Sequence, residues 1–541
     1  MYRTINNDVD LHLPTAGVAM NLREILETIE IREFIGDPFL EVTDISHNSK
    51  QTARGSLFVA IKGHETDGHK FIGRAVLAGA KAVICEDKSA LPHGVPAFLV
   101  TNSRKALAEL AGRFYGHPVE QLVLVGITGT NGKTTTAHLL ESILKQAGRR
   151  PGVLGTIDCH YGDMVLPSSL TTPESLDLQR IFKSMVDDKV THVAMEVSSH
   201  ALDLGRVEGC RFAVAVFTNL SRDHLDYHGD FKTYFECKKR LFSDYLLPGD
   251  LDGRGRAVVN ADDSWGRQLI KLLNRKVVTY GLERGCQVRA KTVKADVDGL
   301  SARIICPNGE FDLCSPMVGE VNIYNHLAAA AAANVLGIGL DEIKAGLEEV
   351  PYVRGRLQRV NLNGSGLKVF VDYAHTGEAL KGVLNSLRKL GHRIITVFGC
   401  GGDRDRGKRP IMGEVATRFS FVTVITSDNP RTEGSMDIIN QITVGITDEK
   451  VTRFGPDEAD ALIKRGGYAI IPDRREAIMF AVNLAEAGDI VLVAGKGHED
   501  YQIIGKTKIS FDDCLEVAQA AKQRQSSGLI SQLEAVTDWT I

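Results

Sequence analysis

The strongest constraint on the fold of this chain is the repeated alternation of short apolar runs with helical stretches. Runs such as VTHVAMEV, FAVAVFTNL, LKVFVDY and DIVLVAG are rich in β-branched residues, and each ends in a polar or glycine-rich loop. Helical stretches such as TGEALKGVLNSLRKL separate them. Continuous apolar strands joined by helical crossovers predict parallel sheets that are buried on both faces. The sequence therefore predicts an α/β fold, whose ligands bind beyond the carboxyl ends of the strands.

The alternation divides the chain into three zones, and 541 residues are too many for a single core. Residues 1–118 contain the strand-like runs SLFVAI, KAVIC and AFLV, which predict a small α/β domain. Residues 119–352 begin with a glycine-rich loop and predict a larger domain with a mainly parallel sheet. Residues 353–541 hold a third series of strands, typical of a doubly wound, Rossmann-like domain.

Composition narrows the class of protein. A net charge of −4 and 6% aromatic residues provide no basic surface for nucleic acid. The nine cysteines occur without a C-x-x-C pair, so we expect reduced thiols rather than disulfides or a zinc ribbon. The segment MYRTINNDVDLHLP lacks the features of an export signal, and no run of 18 apolar residues occurs. We therefore expect a cytoplasmic protein that neither spans a membrane nor binds nucleic acid.

The clearest motif is the loop GITGTNGKTTT, which lies between an apolar run and a helical stretch. Glycines allow close backbone approach, the helix N-terminus donates N–H groups to phosphate, and the lysine and threonine suit phosphate and Mg²⁺. The strict phosphate-loop pattern would place glycine where this chain has Ile127. We predict an ATP site whose loop residues are Gly129, Thr130, Asn131, Gly132, Lys133, Thr134 and Thr135.

Acidic and histidine residues follow the next two apolar runs. Glu196 ends VTHVAMEV, a position from which P-loop domains present an acid to Mg²⁺. His224 and His228 follow FAVAVF with the spacing of zinc ligands on a helix. The glycine and aspartates around them indicate a loop instead, and no further Cys or His nearby in the sequence completes a zinc set. Zinc is therefore the less favoured interpretation.

A series of motifs, in this order, resembles the Mur ligase family: GTNGKTTT, MEVSSHALDLGRV, NLSRDHLDYHG, GEVNIYNHLAAAAA, RGRLQRV, VDYAHT, GCGGDRDRGKRP, SDNPR and AGKGHEDYQ. The resemblance extends from TDISHNSK, near residue 43, to about residue 515. It implies the three-domain Mur ligase architecture and an ATP-dependent enzyme of peptidoglycan precursor synthesis. Such an enzyme converts the D-Glu side-chain carboxylate of UDP-N-acetylmuramoyl-L-Ala-D-Glu into an acyl phosphate, which an amine then attacks.

The resemblance also implies roles for residues near the nucleotide. Lys133 is expected to contact the phosphates, and two Mg²⁺ ions are expected, the first near Thr134 and Glu196 and the second near His224. Lys238 is expected to carry a CO₂-derived carbamate that helps to hold the second ion, with Lys239 as the alternative. Because carbamylation needs a neutral amine, the modified lysine should be desolvated. The remaining residues expected at ATP are Asn325, Arg356, Asp372 and His375.

A second implied set binds the nucleotide-linked peptide. The residues expected near its uridine diphosphate are Ser49, His64 and Thr66, and those near its peptide are Thr171, Thr172, Ser198 and Arg206. This chain departs from the family pattern at Leu204, where relatives often have glutamine, and at Gly377, where proline is common. We therefore expect one fewer polar contact to the peptide and a looser DYAHT loop.

A third implied set binds the incoming amino acid: Arg404, Asp428, Asn429, Pro430, Arg431, Gly495 and Glu499. A diamino acid presents two carboxylates and two ammonium groups, which arginines and an acid suit. The arginine of SDNPR resembles family members that add meso-2,6-diaminopimelate, whereas lysine-adding relatives usually lack it. A buried arginine facing the ammonium of lysine would be repulsive. We predict that Arg431 binds the distal carboxylate of diaminopimelate.

Several alternatives stay open at this point. L-Lysine could be the added amino acid, and a sister ligase could add D-Ala-D-Ala, although SDNPR argues against the latter. A folylpolyglutamate synthetase shares the ATPase core but would normally lack the first domain and the GKGHED stretch. A non-catalytic ATP-binding protein would predict loss of Glu196, His224 or the lysine, which this chain retains. We expect small-molecule substrates as partners and a monomer as the default assembly.

Overall fold

The computed structural model shows three main sheets of five, eleven and seven strands. Each sheet lies within one of the three zones predicted from the sequence. The predicted α/β class with mainly parallel sheets is confirmed, and the zone boundaries at residues 118 and 352 stay a prediction. The structure describes residues 19–27, 29–63, 66–167, 170–248, 255–362 and 366–537, with side chains up to residue 526.

The first zone is built on the five-stranded sheet. Its elements are β1 (Met20–Asn21), α1 (Leu22–Leu26), β2 (Ile31–Ile35), β3 (Glu41–Val42), β4 (Asp44–Ser46), β5 (Ser56–Val59), α2 (Ile72–Leu77), β6 (Ala82–Cys85), β7 (Ala97–Val100) and α3 (Ser103–Phe114). The strand order is β2-β7-β6-β5-β4, with β2 antiparallel at one edge and the others parallel. The predicted runs SLFVAI, KAVIC and AFLV all supply strands of this sheet.

The second zone holds the eleven-stranded sheet. Its elements are β8 (Val123–Thr128), α4 (Lys133–Gln146), β9 (Pro151–Leu154), β10 (Asp158–Tyr161), β11 (Met164–Pro167), α5 (Ser175–Asp187), β12 (His192–Glu196), α6 (Ser199–Asp203), β13 (Phe212–Phe217), α7 (Leu225–His228), α8 (Phe231–Ser243), β14 (Arg256–Asn260), α9 (Ser264–Leu272), β15 (Val277–Gly281), β16 (Val288–Ala295), β17 (Leu300–Cys306), β18 (Gly309–Ser315), α10 (Val321–Val335) and α11 (Leu340–Glu349). The order is β11-β10-β9-β12-β8-β13-β14-β15-β16-β17-β18. In this order the strands from β9 to β16 are parallel neighbours, and antiparallel strands close both edges. The glycine-rich loop follows β8, near the middle of this sheet.

The third zone is doubly wound, as predicted. Its elements are β19 (Gln358–Val360), β20 (Lys368–Asp372), α12 (Gly377–Arg388), β21 (Ile394–Phe398), α13 (Lys408–Phe419), β22 (Val422–Ile425), α14 (Ser435–Thr443), β23 (Arg453–Phe454), α15 (Ala459–Arg465), β24 (Gly467–Ile470), α16 (Arg474–Leu484), β25 (Ile490–Ala494), β26 (Tyr501–Ile504), β27 (Thr507–Ser510) and α17 (Asp513–Thr537). The order is β19-β20-β25-β21-β22-β24-β23, and only β19 is antiparallel to its neighbour.

Strand β21 shows why helices cover both faces of this third sheet. Its residues Ile395 and Val397 pack into the core that contains side chains of α16 and α17. Ile394 and Phe398 pack into the opposite core, with α12, α13 and α14. Because successive side chains of a strand point to opposite faces, a continuous apolar run needs a helical layer on each side.

The cysteines and the helices can be compared with the expectations from composition. All nine cysteines are free thiols, and most are buried. Burial raises the pKa of Cys400 to about 12, so this thiol stays protonated at neutral pH. Among the described residues, no helix has both the length and the hydrophobicity of a membrane span.

Candidate active site

The loops at the carboxyl ends of the second and third sheets border one cleft with a volume of about 980 Å³. Thr156 and Asp223 line it from the second zone, and His375, Arg404 and Glu499 line it from the third. Parallel strands bring loop residues from distant parts of the sequence to one edge of a sheet. The cleft is therefore where residues predicted for different substrates can meet.

The glycine-rich loop packs tightly against the loop that follows β13. Gly129 has φ +148°, and a Cβ there would lie 1.9 Å from Thr218 Oγ1. The Thr130 N–H donates to Asn219 O at 2.8 Å, and the Asn131 N–H donates to Asn219 Oδ1 at 3.0 Å. Only glycine fits at position 129, because both the backbone conformation and the space exclude a side chain.

The N-terminus of α4 holds the loop residues that suit phosphate. Lys133 Nζ donates to the carbonyls of Gly129 and Thr130, both at 2.9 Å. Gly132, with φ +88°, caps the helix, and a Cβ there would lie 2.4 Å from Asn325 Oδ1. Thr135 is buried in the first turn. Asn325 thus borders the phosphate loop, next to the residues predicted for ATP.

Arg356 of the third zone reaches this loop. Its guanidinium donates to Thr134 Oγ1 at 2.9 Å and lies 4.7 Å from the centre of the Tyr373 ring. Asp372 does not line the cleft. Its carboxylate accepts the N–H groups of Leu357 and Ala374, at 2.6 and 2.7 Å. Asp372 therefore orders the turn that carries Arg356.

Glu196 ends β12 and is 1% exposed. Its carboxylate accepts from Thr156, at 2.8 Å from the backbone N–H and 3.0 Å from the hydroxyl. Burial lowers the pKa of Lys133, and the nearby carboxylates of Glu196 and Asp223 oppose this shift. The predicted metal acid thus lies within electrostatic reach of the phosphate-loop lysine.

Asp223 and His224 adjoin on the lining of the cleft, close to several other titratable groups. His224 has a left-handed backbone, φ +53°, and its Nε2 lies 3.4 Å from Asp223 Oδ2. Burial alone would raise the pKa of Asp223. Interactions with His224, His375, Lys133 and Lys408 hold it below its usual value instead, and the two imidazoles contribute only when they are protonated. This carboxylate therefore stays ionised where groups of the second and third zones converge.

His375 follows β20 and lines the same cleft. Its Nδ1 lies 2.8 Å from Tyr373 O. Burial, together with the charge of Lys408, lowers the pKa of His375 to about 4. The imidazole is therefore neutral at pH 7 and can accept or donate a hydrogen bond.

Lys238 lies on the buried face of α8. Its side chain sits 4.5 Å from the centre of the Tyr234 ring, and Nζ donates to Gly129 O at 2.9 Å. Burial, and then the charge of Lys133, lowers the pKa of Lys238 well below its usual value. Lys239 instead forms an ion pair with Glu236 and is partly exposed. Of the two neighbours, Lys238 has the desolvated amine that carbamylation requires.

The contacts of His228 show which possible zinc ligands lie near it. Its Nε2 lies 2.9 Å from Ser199 Oγ, and its Nδ1 lies 3.7 Å from Cys237 Sγ. The fold also brings His200 close, with its ring centre 5.5 Å from that of His228. Among the described residues, the one group whose metal-type ligand atoms converge within 4.8 Å lies elsewhere, at His138, Glu141 and His160.

Three of the residues predicted for the peptide lie next to Glu196. Thr171 Oγ1 lies 3.2 Å from Thr156 Oγ1 and lines the cleft. Thr172 donates from its hydroxyl to Glu196 O at 3.0 Å and accepts the Ser198 N–H at 3.1 Å. These hydroxyls connect the predicted metal acid to the predicted peptide site.

Arg206 connects the peptide residues to the first zone. Its guanidinium donates to Thr172 O at 3.2 Å and to Glu174 Oε1 at 3.0 Å. The other oxygen of Glu174 accepts from Arg104 of the first zone at 2.9 Å. Glu174 therefore joins an arginine of each zone beside the predicted peptide site.

Two of the three residues predicted for uridine diphosphate, Ser49 and Thr66, lie away from the cleft. Ser49 is nearly buried in the first zone, and Thr66 lies in an exposed loop where its carbonyl accepts the Gly63 N–H. Neither lines the cleft. His64 lies outside the described residues.

Apart from Pro430, the residues predicted for the amino acid line one wall of the cleft, on the three loops that follow β21, β22 and β25, and the first two loops adjoin. A Cβ on Gly402 would lie 1.8 Å from Pro430 O, so the loop backbones touch. Arg431 has a left-handed backbone, φ +52°, and its guanidinium donates to Gly402 O at 2.8 Å. Arg404 donates to Asp403 O at 3.1 Å. Both arginines line the cleft, and the strained backbone of Arg431 is typical of functional loops.

The acid of this wall is already engaged within the protein. Glu499 Oε2 accepts from Asn429 Nδ2 at 2.8 Å and from the fully buried Lys496 at 3.0 Å. Asp428 adjoins the next loop, with Oδ2 2.7 Å from where a Cβ on Gly495 would lie. A ligand ammonium would therefore share Glu499 with Lys496.

Family models match most of this chain. The Mur ligase family catalytic domain matches residues 41–115, the Mur ligase middle domain residues 127–333, and the Mur ligase glutamate ligase domain residues 355–497. A curated UDP-N-acetylmuramoyl-L-alanyl-D-glutamate–2,6-diaminopimelate ligase from Geobacter metallireducens is 48% identical over 510 residues, which is 94% of this chain and 100% of the relative. The chain belongs to the Mur ligase family.

Other relatives of this Mur ligase agree. A curated protein of the same name from Geobacillus kaustophilus is 43% identical over 90% of this chain and 96% of its own length. A solved structure of that name is 32% identical, with a TM-score of 0.64, and the match covers 94% of this chain and 100% of the other. The similarity thus extends through all three zones.

Sequence reasoning missed three residues in and behind the cleft of this Mur ligase. Thr156 and Lys408 line the cleft, and the fully buried Lys496 lies behind it, paired with Glu499. The two lysines stand within the motifs GCGGDRDRGKRP and AGKGHEDYQ, so the motifs carried a signal for them. No motif marks Thr156, which is recognisable only because it contacts Glu196 across the sheet.

Proposed function

We propose that this Mur ligase joins meso-2,6-diaminopimelate to the D-Glu side-chain carboxylate of UDP-N-acetylmuramoyl-L-Ala-D-Glu, with conversion of ATP to ADP and phosphate. The observation that carries the proposal is the shared cleft, where the Asp223 and His224 region faces the wall of Arg404 and Arg431. The printed names of relatives that match over nearly the whole chain support the same activity. ATP and nucleotide-linked precursors are cytoplasmic metabolites, so we place the enzyme in the cytoplasm.

The reaction needs positioning and charge neutralisation more than covalent catalysis. A carboxylate oxygen of D-Glu attacks the γ-phosphorus of ATP, the β–γ bridging bond breaks, and ADP leaves. The amine of diaminopimelate then attacks the acyl carbon, phosphate leaves, and the nitrogen loses a proton. Lys133 and the N–H groups at the start of α4 hold the phosphate charge, while the arginines of the opposite wall orient the amine.

The residues proposed for two Mg²⁺ ions are Thr134, Glu196, His224 and a carbamylated Lys238. When bound, the ions neutralise charge on the phosphate oxygens. The site fits this role, because Glu196 places a buried carboxylate at a strand end and Lys238 lies 2.9 Å from the phosphate-loop carbonyl of Gly129. The desolvated amine of Lys238 also meets the chemical requirement for carbamylation.

The amino-acid wall favours a dicarboxylate. Arg404, Arg431 and Lys508 line the wall together with the acids Asp428 and Glu499. Asp405 and Asp500 also line the cleft, and the buried ammonium of Lys496 already pairs with Glu499, so net charge does not distinguish the two amino acids. The guanidinium of Arg431 does, because diaminopimelate has a second carboxylate to match it and lysine has only an ammonium at that end.

We further infer three domains, 1–118, 119–352 and 353–541, of which the first binds the uridine diphosphate through Ser49, His64 and Thr66. Support comes from the Arg104, Glu174 and Arg206 contacts, which place the first zone beside the peptide residues. Titration of the isolated UDP moiety by calorimetry, with Ser49→Ala as the variant, tests this assignment.

The specificity proposal predicts the effect of Arg431→Ala. Loss of a charge-assisted contact to the distal carboxylate removes about 3 kcal/mol, so we expect the KM for diaminopimelate to rise about 100-fold. Arg406→Ala is the matched control, because Arg406 is exposed, pairs with Glu433 and does not line the cleft. Steady-state phosphate release, with the product identified by mass spectrometry, measures both.

Wild-type enzyme supplied with L-lysine completes this experiment. Turnover with diaminopimelate, and none with L-lysine, supports the proposal. Equal turnover with both amino acids contradicts the role of Arg431, and ATP binding without any amide product favours the non-catalytic alternative.

A further inference from the structure

Arg474 is a buried arginine beneath the amino-acid wall. It begins α16, and its side chain has no exposed surface. Its Nε and one terminal nitrogen donate to the two oxygens of Asp513, at 2.8 and 2.7 Å. Asp513 begins α17 and is equally buried. A bidentate pair of this kind fixes the plane of the guanidinium.

The same guanidinium also contacts the ends of two strands. One terminal nitrogen donates to the carbonyl of Ala494, the last residue of β25, at 3.0 Å. The other approaches the carbonyl of Ser427, just beyond β22, at 3.4 Å. These carbonyls immediately precede the loops that carry Gly495 to Glu499 and Asp428 to Arg431. One side chain therefore bridges the bases of two of the three loops of the amino-acid wall.

Electrostatics connects Arg474 to the same loops. Burial would lower its pKa, but the carboxylates of Asp513, Asp428 and Glu499 raise it. Asp428 and Glu499 are the two acids of the wall, so the buried charge acts on both. A neutral residue at position 474 would leave Asp513 buried without its partner.

We propose that Arg474 is a positioning residue for the amino-acid site. It sets the spacing between the SDNPR and GKGHED loops, and thereby the placement of Arg431 relative to Glu499. The inference rests on the proposed function, since it assigns a residue to the diaminopimelate subsite. It does not require Arg474 to touch the substrate.

The first test replaces Arg474 with lysine, which keeps the charge and loses the bridging geometry. We expect the KM for diaminopimelate to rise at least tenfold, with the KM values for ATP and for the nucleotide peptide within twofold of wild type. Arg475→Gln is the matched control. Arg475 pairs with Glu516 at 2.8 Å and joins the same two helices, but it is 60% exposed and reaches neither strand end. The control should leave all three KM values within twofold.

The second test separates positioning from stability. In the double variant R474M/D513L an apolar pair replaces the buried ion pair, which often preserves or raises stability. It cannot donate to Ala494 or Ser427. A wild-type melting temperature with a KM for diaminopimelate still raised at least tenfold supports the inference.

Other outcomes overturn it. If the double variant recovers both the melting temperature and the KM, the pair serves stability alone. If Arg474→Lys raises all three KM values together, Arg474 does not act on the amino-acid site in particular. Failure of the proposed function would look different, because wild-type enzyme would then form no diaminopimelate-containing product.

Discussion

At the scale of single residues, burial and neighbouring charges set the protonation of the groups in the cleft. Burial makes Lys238 a weaker base, and it keeps His375 neutral at pH 7. Nearby basic groups, among them Lys133 and Lys408, hold the pKa of Asp223 below its usual value. Lys238 and Lys239 adjoin in sequence, yet one faces the phosphate loop and the other the surface. Because their environments differ, we expect the same substitution to lower activity at Lys238 and to have little effect at Lys239.

Lys238→Gln removes the amine that we propose to be carbamylated. We expect kcat to fall at least 100-fold, because the proposed ligand of the second Mg²⁺ is lost, while Lys239→Gln changes kcat less than twofold. Assays with and without added bicarbonate measure the effect, and wild-type activity should fall in CO₂-depleted buffer. Loss of activity in the Lys239 variant alone would show that Lys239, and not Lys238, carries the carbamate.

At the scale of elements, α4 connects the phosphate loop at its N-terminus to β10 along its length. Gly129 and Gly132 shape the entry to the helix, and Gly148 follows its end. His160 of β10 bridges to the helix, with Nε2 3.0 Å from Glu141 and Nδ1 2.6 Å from Asp158. The helix is therefore constrained both at the nucleotide end and through a buried ion network.

Gly129→Ala tests the phosphate loop. A Cβ at this position would lie 1.9 Å from Thr218 Oγ1, so we expect a lower melting temperature and a KM for ATP raised at least 100-fold. Gly148→Ala is the control, since Gly148 also has positive φ, +66°, but a Cβ there meets nothing within 4 Å. Similar effects of the two substitutions on ATP binding would show that backbone strain, rather than loop packing, is responsible.

The His160 network predicts a pH dependence of stability. Burial would lower the pKa of His160, but hydrogen bonds to Asp158 and Glu141 raise it to about 9. A folded pKa above the unfolded value of about 6.5 stabilises fully below pH 6.5, and this stabilisation is lost as pH rises through 9. We expect the contribution of His160 to the free energy of unfolding to fall by about 3 kcal/mol between pH 6.5 and 9.5.

Urea unfolding at the two pH values measures this change. His160→Gln should abolish most of the fall, because glutamine carries no titrating charge. His138→Gln is the control, since His138 lies farther from Glu141, at 3.6 Å. If the free energy of unfolding of the His160→Gln variant falls between the two pH values as much as that of wild type, the pH dependence belongs to other groups.

At the scale of the whole molecule, side-chain contacts connect the three zones around the cleft. Arg356 reaches from the third zone to Thr134 of the phosphate loop. Glu174 joins Arg104 of the first zone to Arg206 of the second. Arg359 pairs with Asp298 away from the cleft. Because we propose that substrates bind between the zones, we expect these contacts to influence how the zones approach each other.

Arg356→Ala tests whether this contact matters for catalysis. We expect the KM for ATP to rise between 10- and 100-fold, since the guanidinium lies at the phosphate loop and its charge is lost. Arg359→Ala also removes an arginine that joins the second and third zones, so it is the control and should stay within twofold. Nucleotide titrations by fluorescence and steady-state assays measure both, and equal effects would indicate a general loss of domain contact.

Much of the fold could be predicted because its signals are local. An apolar run such as FVTVIT must be buried, and it forms β22 as expected. The glycine-rich loop likewise indicates its own geometry, and the order of the motifs along the chain indicates the family. The family resemblance selected Arg404, Arg431 and Glu499, and the parallel sheet explains why loops distant in sequence gather on one wall.

The sequence by itself determined the α/β class, the phosphate loop and the set of chemical groups available for the reaction, because each depends on short-range patterns. Tertiary structure alone decided that Lys238 is buried and Lys239 partly exposed, that Thr156 holds Glu196, and that Lys496 pairs with Glu499. It also decided that the Asp372 carboxylate accepts a backbone N–H group and does not line the cleft. Burial and pairing depend on residues that are distant in sequence, so no local pattern can specify the protonation or the partners of these groups.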